Sequence, residues 1–346
     1  MKPPSPPRSV LLVCVRYLGD SLLLRPCLRA VRHAFPDARI DALVAEGTGC
    51  ALGDCPDVSN VIAWPMRGVL AQAAAAARLA SAGYDWAVDF TGNDRSAFVV
   101  LASRARFRAA YERPKLPSWS LRRAAYNFRP AHRKQKPHTL VQRLELLEAC
   151  GVPSCGEEIG LVPRPAAVAA ARDSLRGLPE NFLHAHVTSR DMRKAIPAPV
   201  VQSVLAGAIR SGLGVVVTCG RDAAERAHVA ACTSGLPAES VRTFHDLDWH
   251  GLVATISLCR AYWGADTAPA HIAAALQKNM LIHYGPSRAD HWQARHPGAR
   301  ADVRPCACLR AKRMNCARGV PGNCLAEIDA DGVLEWLSTA AAQSLL

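Results

Sequence analysis

Short apolar runs, each followed by a helix-forming segment, constrain this chain more than any other feature. Val10–Val15 is a continuous run bounded by charge, as expected of a strand covered on both faces. An amphipathic helix running to about Phe35 follows, ended by Pro36-Asp37, and then a second strand at Ile40–Val44. Val61–Ala63, Trp86–Phe90 and Arg108–Tyr111 fit further strands, with the Ala-rich stretch 69–82 as a crossover helix. The pattern restarts after Gly160. Strands are expected at Phe182–His186, Gly214–Cys219, Ala261–Trp263 and Met280–Tyr284, with helices at 197–211, 222–232, 252–260, 269–277 and 326–340. Such alternation specifies parallel, doubly wound α/β sheets. Gly and Pro interrupt the helical pattern near Cys150–Pro165, so the chain reads as two Rossmann-like domains, 1–160 and 161–346. Ligands of such domains bind at the carboxyl ends of the strands.

Composition narrows the function classes. The 346 residues suffice for two cores, and no apolar run approaches the length of about 18 residues needed for a membrane span. The proline-rich start lacks a small-residue cleavage site, so Val10–Val15 is read as a buried strand, not a signal peptide, and a cytoplasmic protein is expected. The net charge of +13 favours an acidic partner: nucleic acid, an anionic membrane surface, or a phosphorylated or carboxylated substrate. Among the thirteen cysteines, Cys14, Cys27, Cys150, Cys219 and Cys259 sit in apolar contexts and read as small core residues. Cys306, Cys308, Cys316 and Cys324 could supply four thiolates to zinc, although their spacing is not a paired Cys-x₂-Cys pattern; free or locally paired thiols are the alternative.

The segment 261–277 carries the main chemical signal. It reads as a strand end, a small-residue turn from Gly264 to Ala268, and a helix opening at Pro269. Free backbone N–H groups and the positive end of the helix dipole there suit a diphosphate. Asp266, Thr267 and His271 flank that point.

Several motifs in their order resemble glycosyltransferase family 9, the ADP-heptose:lipopolysaccharide heptosyltransferases of GT-B fold. They are Val15-Arg-Tyr-Leu-Gly-Asp20 with Pro26, Asp89-Phe-Thr-Gly-Asn93 with Arg95, His184-Ala-His-Val-Thr-Ser-Arg190 with Lys194, Gly264-Ala-Asp-Thr-Ala-Pro-Ala-His271, and Tyr284-Gly-Pro-Ser287. The resemblance covers nearly the whole chain, and the His-x-Thr-Ser-Arg form is most similar to the heptosyltransferase III-like branch. It implies two Rossmann-like domains facing each other across a central cleft, the first for the acceptor and the second for the nucleotide sugar. It further implies inverting, metal-independent transfer of heptose from ADP-heptose to the lipid A–Kdo–heptose inner core, with no cofactor and no nucleic acid. Peripheral contact with the inner face of the cytoplasmic membrane goes with that acceptor.

Residue by residue, the resemblance makes Asp20 the general base. Thr188, Ser189 and Lys194 hold the donor diphosphate, with Arg190 in reserve to Lys194. Asp266, Thr267 and Ala268 contact sugar and phosphate, His271 lies close by, and Glu225 approaches the adenosine ribose. Arg16, Asn93, Arg95, Arg122 and Arg123 fall to the acceptor. Ala268 stands where the family usually has Gly, three residues separate Arg190 from Lys194, and Lys194-Ala-Ile replaces a Lys-x-Trp pattern.

Simpler structural readings stand beside these. Asp20 could be a helix N-cap, Asp266 a turn former, His271 a structural histidine, and Lys194 part of a solvated loop. Asp89, Asn93 and Arg95 could simply shape their loop. The basic, aromatic-interleaved stretch 104–138 fits an acceptor-binding surface loop, single-stranded nucleic acid or anionic lipid. The rival functions are a transferase using another nucleotide sugar and a nucleic-acid-binding protein with a cysteine zinc module.

Overall fold

The computed structural model describes residues 5–112, 117, 119–131, 138–304, 306 and 324–343. The chain divides into two compact units, Met1–Gly160 and Leu161–Leu346.

The first unit holds strands β1 (Ser9–Cys14), β2 (Arg39–Ala45), β3 (Asn60–Trp64), β4 (Trp86–Asp89) and β5 (Phe107–Ala109). All neighbours pair in parallel, in the order β3-β2-β1-β4-β5. Its helices are α1 (Leu18–Leu22), α2 (Arg25–Ala34), α3 (Val69–Ser81), α4 (Asp94–Ala102), α5 (Leu121–Ala124) and α6 (Thr139–Ala149). Every residue of β1 is buried, which explains its unbroken apolar run. The single helix expected up to Phe35 is two helices. Pro26 cannot donate a backbone N–H, and it sits at the start of α2, where that donor has no intrahelical partner to lose.

The second unit holds β6 (Phe182–His186), β7 (Gly214–Thr218), β8 (Val241–Phe244), β9 (Ala261–Ala265), β10 (Met280–Tyr284) and β11 (Ala299–Val303). These are again parallel, in the order β11-β10-β9-β6-β7-β8, the full Rossmann arrangement. Helices α7 (Pro165–Ser174), α8 (Ala198–Arg210), α9 (Ala223–Thr233), α10 (Trp249–Leu258), α11 (Ala268–Ala275), α12 (Ala289–Trp292) and α13 (Ala330–Gln343) complete it. Trp336 and Leu337 of α13 join a core built on Leu183, Val217 and Trp263.

Strand β9 runs further than expected. Gly264 belongs to the strand, and a Cβ there would stand 2.2 Å from the carbonyl oxygen of His186 on β6. Glycine is therefore a condition of the β6–β9 approach, not a mark of the turn. Cys14, Cys27, Cys150 and Cys259 are buried, whereas Cys219 is only half-buried at the edge of the core.

Candidate active site

In each sheet the strand order reverses at one place, and there the loops leaving adjacent strands part to form a crevice. In the first unit that place lies between β1 and β4. The β1 loop carries Arg16 and Asp20, and the β4 loop carries Asp89 and Asn93. The two loops are joined where the Val15 amide donates to Thr91 Oγ1 over 2.9 Å.

Asp20 is buried, and it is the third residue of α1, not its N-cap; Tyr17 holds that position without a side-chain cap. The carboxylate serves tertiary partners. Nη2 of Arg143 donates to Oδ1 over 2.8 Å, Nη1 of the same side chain donates to the Asp20 carbonyl over 2.6 Å, and Arg16 Nε stands 3.3 Å from Oδ1. All three contacts avoid Oδ2, which is bonded by none of the described residues. Sequence reasoning missed Arg143. Its signal was an arginine placed among Leu140, Leu144 and Leu147, the buried stripe of α6.

Asp89 is buried, and burial pushes its carboxyl above the usual carboxylate range. It accepts from the amide of Thr91 at 2.7 Å and the hydroxyl of Tyr126 at 2.5 Å, so its visible work is to fix this loop. Asn93 caps α4: its Oδ1 accepts from the Ser96 amide at 2.9 Å, while the Ser96 hydroxyl accepts from the Asn93 amide at 3.0 Å. Arg95 is exposed on the first turn of α4, and Arg122 of α5 pairs with Asp94 at 2.8 Å. Beside this loop lies a shallow depression lined by Gly92, Tyr111, Arg122, Arg123, Tyr126 and Arg129. Glu112, also on its wall, pairs with Arg129 at 3.3 Å. The phenols are already engaged, Tyr126 with Asp89 and Tyr111 donating to the Gln142 carbonyl over 2.7 Å, so what the wall offers a ligand is the positive charge of its arginines.

In the second unit the reversal lies between β6 and β9. Thr188, beyond β6, is buried and donates to Glu225 Oε2 over 2.8 Å. The same oxygen accepts from the Gly220 amide at 3.2 Å. The β6 and β7 loops and the first turn of α9 thus meet at one carboxylate. Ser189 Oγ accepts from the Asp191 amide at 3.2 Å, and Arg190 is exposed. Asp191 takes a two-pronged grip from Arg193 at 2.8 and 2.6 Å, which holds its carboxyl below the usual range and shapes the 3-10 turn Met192–Lys194.

Lys194 closes onto the turn after β9. Its Nζ donates to Asp266 Oδ2 over 3.0 Å and to the Asp266 carbonyl over 3.2 Å. Lys194 is therefore not a solvated loop residue, and Asp266 is not merely a turn former. The pair stands at the head of α11, where Thr267 is the N-cap without a side-chain cap bond, Ala268 is the first helical residue and Pro269 the second. His271, one turn in, packs edge-on against Trp292 with ring centres 6.3 Å apart.

Beneath these loops His184 Nε2 and His186 Nδ1 both lie 2.9 Å from Thr218 Oγ1. Burial pushes His184 down to about 3 and His186 down to about 4, so both are neutral near pH 7. Cys306 and Cys324 pack against the core of this unit, but Cys308 and Cys316 lie outside the described residues. Among the described residues no cluster of three or more His, Cys, Asp or Glu side chains could hold a metal ion.

A cation thus stands at the head of a helix at one Rossmann switch point, and a buried carboxylate at the other, groups suited to binding an anion and to moving a proton. A sequence profile of glycosyltransferase family 9 (heptosyltransferase) matches residues 73–319. The chain belongs to that family and is a glycosyltransferase. It is 24% identical over 293 residues to a lipopolysaccharide heptosyltransferase 3 of Escherichia coli, covering 81% of this chain and 84% of the relative. The ADP-heptose lps heptosyltransferase II of E. coli superposes with a TM-score of 0.79 at 19% identity, over 98% of this chain and 100% of that one. The E. coli heptosyltransferase WaaC with ADP superposes with a TM-score of 0.71 at 20% identity, over 96% and 98%. These likenesses place the chain in the GT-B fold.

Proposed function

We infer that this protein moves a heptose from ADP-heptose to the lipopolysaccharide inner core, with inversion at the anomeric carbon and without a metal ion. The observation that carries the reading is the meeting of Lys194 with Asp266 at the head of α11. Bond cleavage leaves negative charge on the diphosphate of ADP, and catalysis requires cations and N–H dipoles already aimed at it. Lys194 and the amides of Thr267 and Ala268 supply both. The same lysine neutralises Asp266, so a carboxylate can lie beside the diphosphate and accept hydrogen bonds from sugar hydroxyls. Glu225, fixed by Thr188 and Gly220, takes the adenosine ribose; Ser189 and Arg190 flank the phosphates, and His271 lies at the edge of the site.

On the acceptor side, Asp20 Oδ2 takes the proton of the attacking hydroxyl as the new C–O bond forms at the anomeric carbon. The bond to the β-phosphate breaks, and its electron pair leaves on ADP. A positioned base of this kind supplies a factor of about 10²–10⁴. Arg16, Arg95, Arg122 and Arg123 provide the positive rim for the carboxylates and phosphates of a Kdo-containing core, and Asn93 shapes the loop that carries it. The names of the relatives support both heptose and lipopolysaccharide. The enzyme works in the cytoplasm at the inner face of the cytoplasmic membrane, where this acceptor is found. No helix among the described residues is long and apolar enough to cross a membrane.

Thermal stabilisation separates this reading from a transferase using another nucleotide sugar. ADP-heptose and ADP are expected to raise the melting temperature, and UDP and GDP to leave it unchanged. An equal response to all four, or none to any, contradicts the donor assignment.

A further inference from the structure

Helix α3 presents an apolar face to solvent. Val69, Leu70, Ala71, Ala73, Ala74 and Ala77 are exposed, Val69 and Leu70 to 83% and 86%, while Leu79 on the opposite side enters the core of the first unit. A surface helix normally shows the reverse, polar outward and apolar inward. Neighbouring elements also expose apolar side chains. Helix α4 packs against both α3 and α5. It exposes Phe98, whose ring lies edge-on to Trp64 with centres 6.1 Å apart. Leu121 of α5 and Trp119 just before it are exposed as well, Trp119 to 84%. Five arginines, Arg67, Arg78, Arg95, Arg122 and Arg123, lie on or beside α3, α4 and α5; with them stand two carboxylates, Asp94, paired with Arg122 at 2.8 Å, and Glu46, which accepts from the Met66 amide at 3.4 Å.

We propose that the face formed by α3, Phe98 and the Trp119–Ala124 segment is the surface by which the protein lies on an anionic lipid bilayer. Apolar side chains with arginines beside them, and an exposed tryptophan, match a headgroup layer that is negative outside and hydrocarbon beneath. Charge decides between this occupant and a second copy of the chain. Self-association through this face would press two sets of arginines together, whereas anionic headgroups neutralise them. The proposal rests on the reading of a membrane-borne acceptor. It adds an orientation: Arg122 and Arg123 belong both to this set and to the wall of the basic depression beside the β4 loop, so an acceptor anchored in the bilayer would meet that depression at the lipid surface.

Co-sedimentation of the full chain with vesicles tests this, using about one-quarter phosphatidylglycerol in phosphatidylcholine against pure phosphatidylcholine. The wild type is expected to partition at least about tenfold more strongly to the anionic vesicles, and to lose that preference in high salt. The variant V69S/L70S, altered only at exposed positions of α3 and outside the stretch 104–138, is expected to lose about tenfold in partition. It should turn over a lipid-free core oligosaccharide at the wild-type rate. An inactive wild type on that soluble acceptor would count against the enzyme reading and leave vesicle binding to be judged separately. Equal binding of the variant, no preference for anionic lipid, or vesicle-free self-association abolished by the same substitutions would overturn the membrane assignment.

Discussion

Arg143 grips Asp20 twice, donating to Oδ1 over 2.8 Å and to the backbone carbonyl over 2.6 Å, with both side chains buried. One arginine thus fixes the rotamer of the carboxylate and the position of its backbone, and leaves Oδ2 free to act. Removing one partner of a buried pair leaves the other charged and dry, which costs about 3–5 kcal/mol. Arg143→Met should therefore lower the urea midpoint of unfolding substantially. An unchanged midpoint would show that the pair carries no such energy.

Lys194 and Asp266 should behave as a unit. Lys194→Met leaves Asp266 unneutralised at the head of α11, so the donor KM is expected to rise by about tenfold or more, with kcat falling as well. Adding Asp266→Asn removes the stranded charge, so the double variant should bind ADP better than Lys194→Met alone. Calorimetric titration of ADP into Lys194→Met, Asp266→Asn and the double variant measures this directly; strictly additive losses would argue against coupling.

Thr188, expected at the donor diphosphate, is buried and gives its hydroxyl proton to Glu225 instead, so in the proposed site it acts through that carboxylate. Thr188→Val deletes the 2.8 Å bond to Oε2 and leaves Gly220 as that oxygen's remaining partner. A hydrogen bond to a charged group contributes about 1.5–3 kcal/mol. The variant should melt earlier and show a raised KM for ADP-heptose with kcat nearly kept, because the ribose contact is ground-state binding. A lowered kcat at unchanged KM would move Thr188 to the reacting centre instead.

Acid should unfold the second unit through its two neutral histidines. His184 and His186 are held near 3 and 4 when folded and return to about 6.5 when unfolded. Between those values the unfolded chain binds more protons, so stability is complete above about pH 6.5 and falls as pH drops toward 4. At pH 5 each histidine costs about 2 kcal/mol. Denaturant titrations from pH 7 to 4 should show this slope, and His184→Gln/His186→Gln should flatten it. A wild type equally stable at pH 7 and pH 5 would contradict the assignment.

The sheets were legible because fully buried parallel strands leave continuous apolar runs; Phe182–His186 and Met280–Tyr284 were placed to the residue. Strands β8 and β11, partly exposed and polar in sequence, lack that pattern and were missed. The motif loops were found for the same local reason, since each follows a strand. Their partners were not: Arg143 meets Asp20 from 123 residues away, and its place on the leucine stripe of α6 signals burial without naming the partner. Likewise the pairing of Lys194 with Asp266 spans 72 residues, and no local pattern links the two. Gly264 looked like a turn residue because its steric reason, the His186 carbonyl, lies on another strand.

In the proposed reaction Asp20 removes the acceptor proton while the second unit binds the donor. Acceptor-dependent release of ADP from ADP-heptose, compared between wild type and Asp20→Asn, tests it most directly. The account predicts a rate loss of about 10²–10⁴ with ADP affinity unchanged. An Asp20→Asn enzyme as fast as the wild type would contradict it.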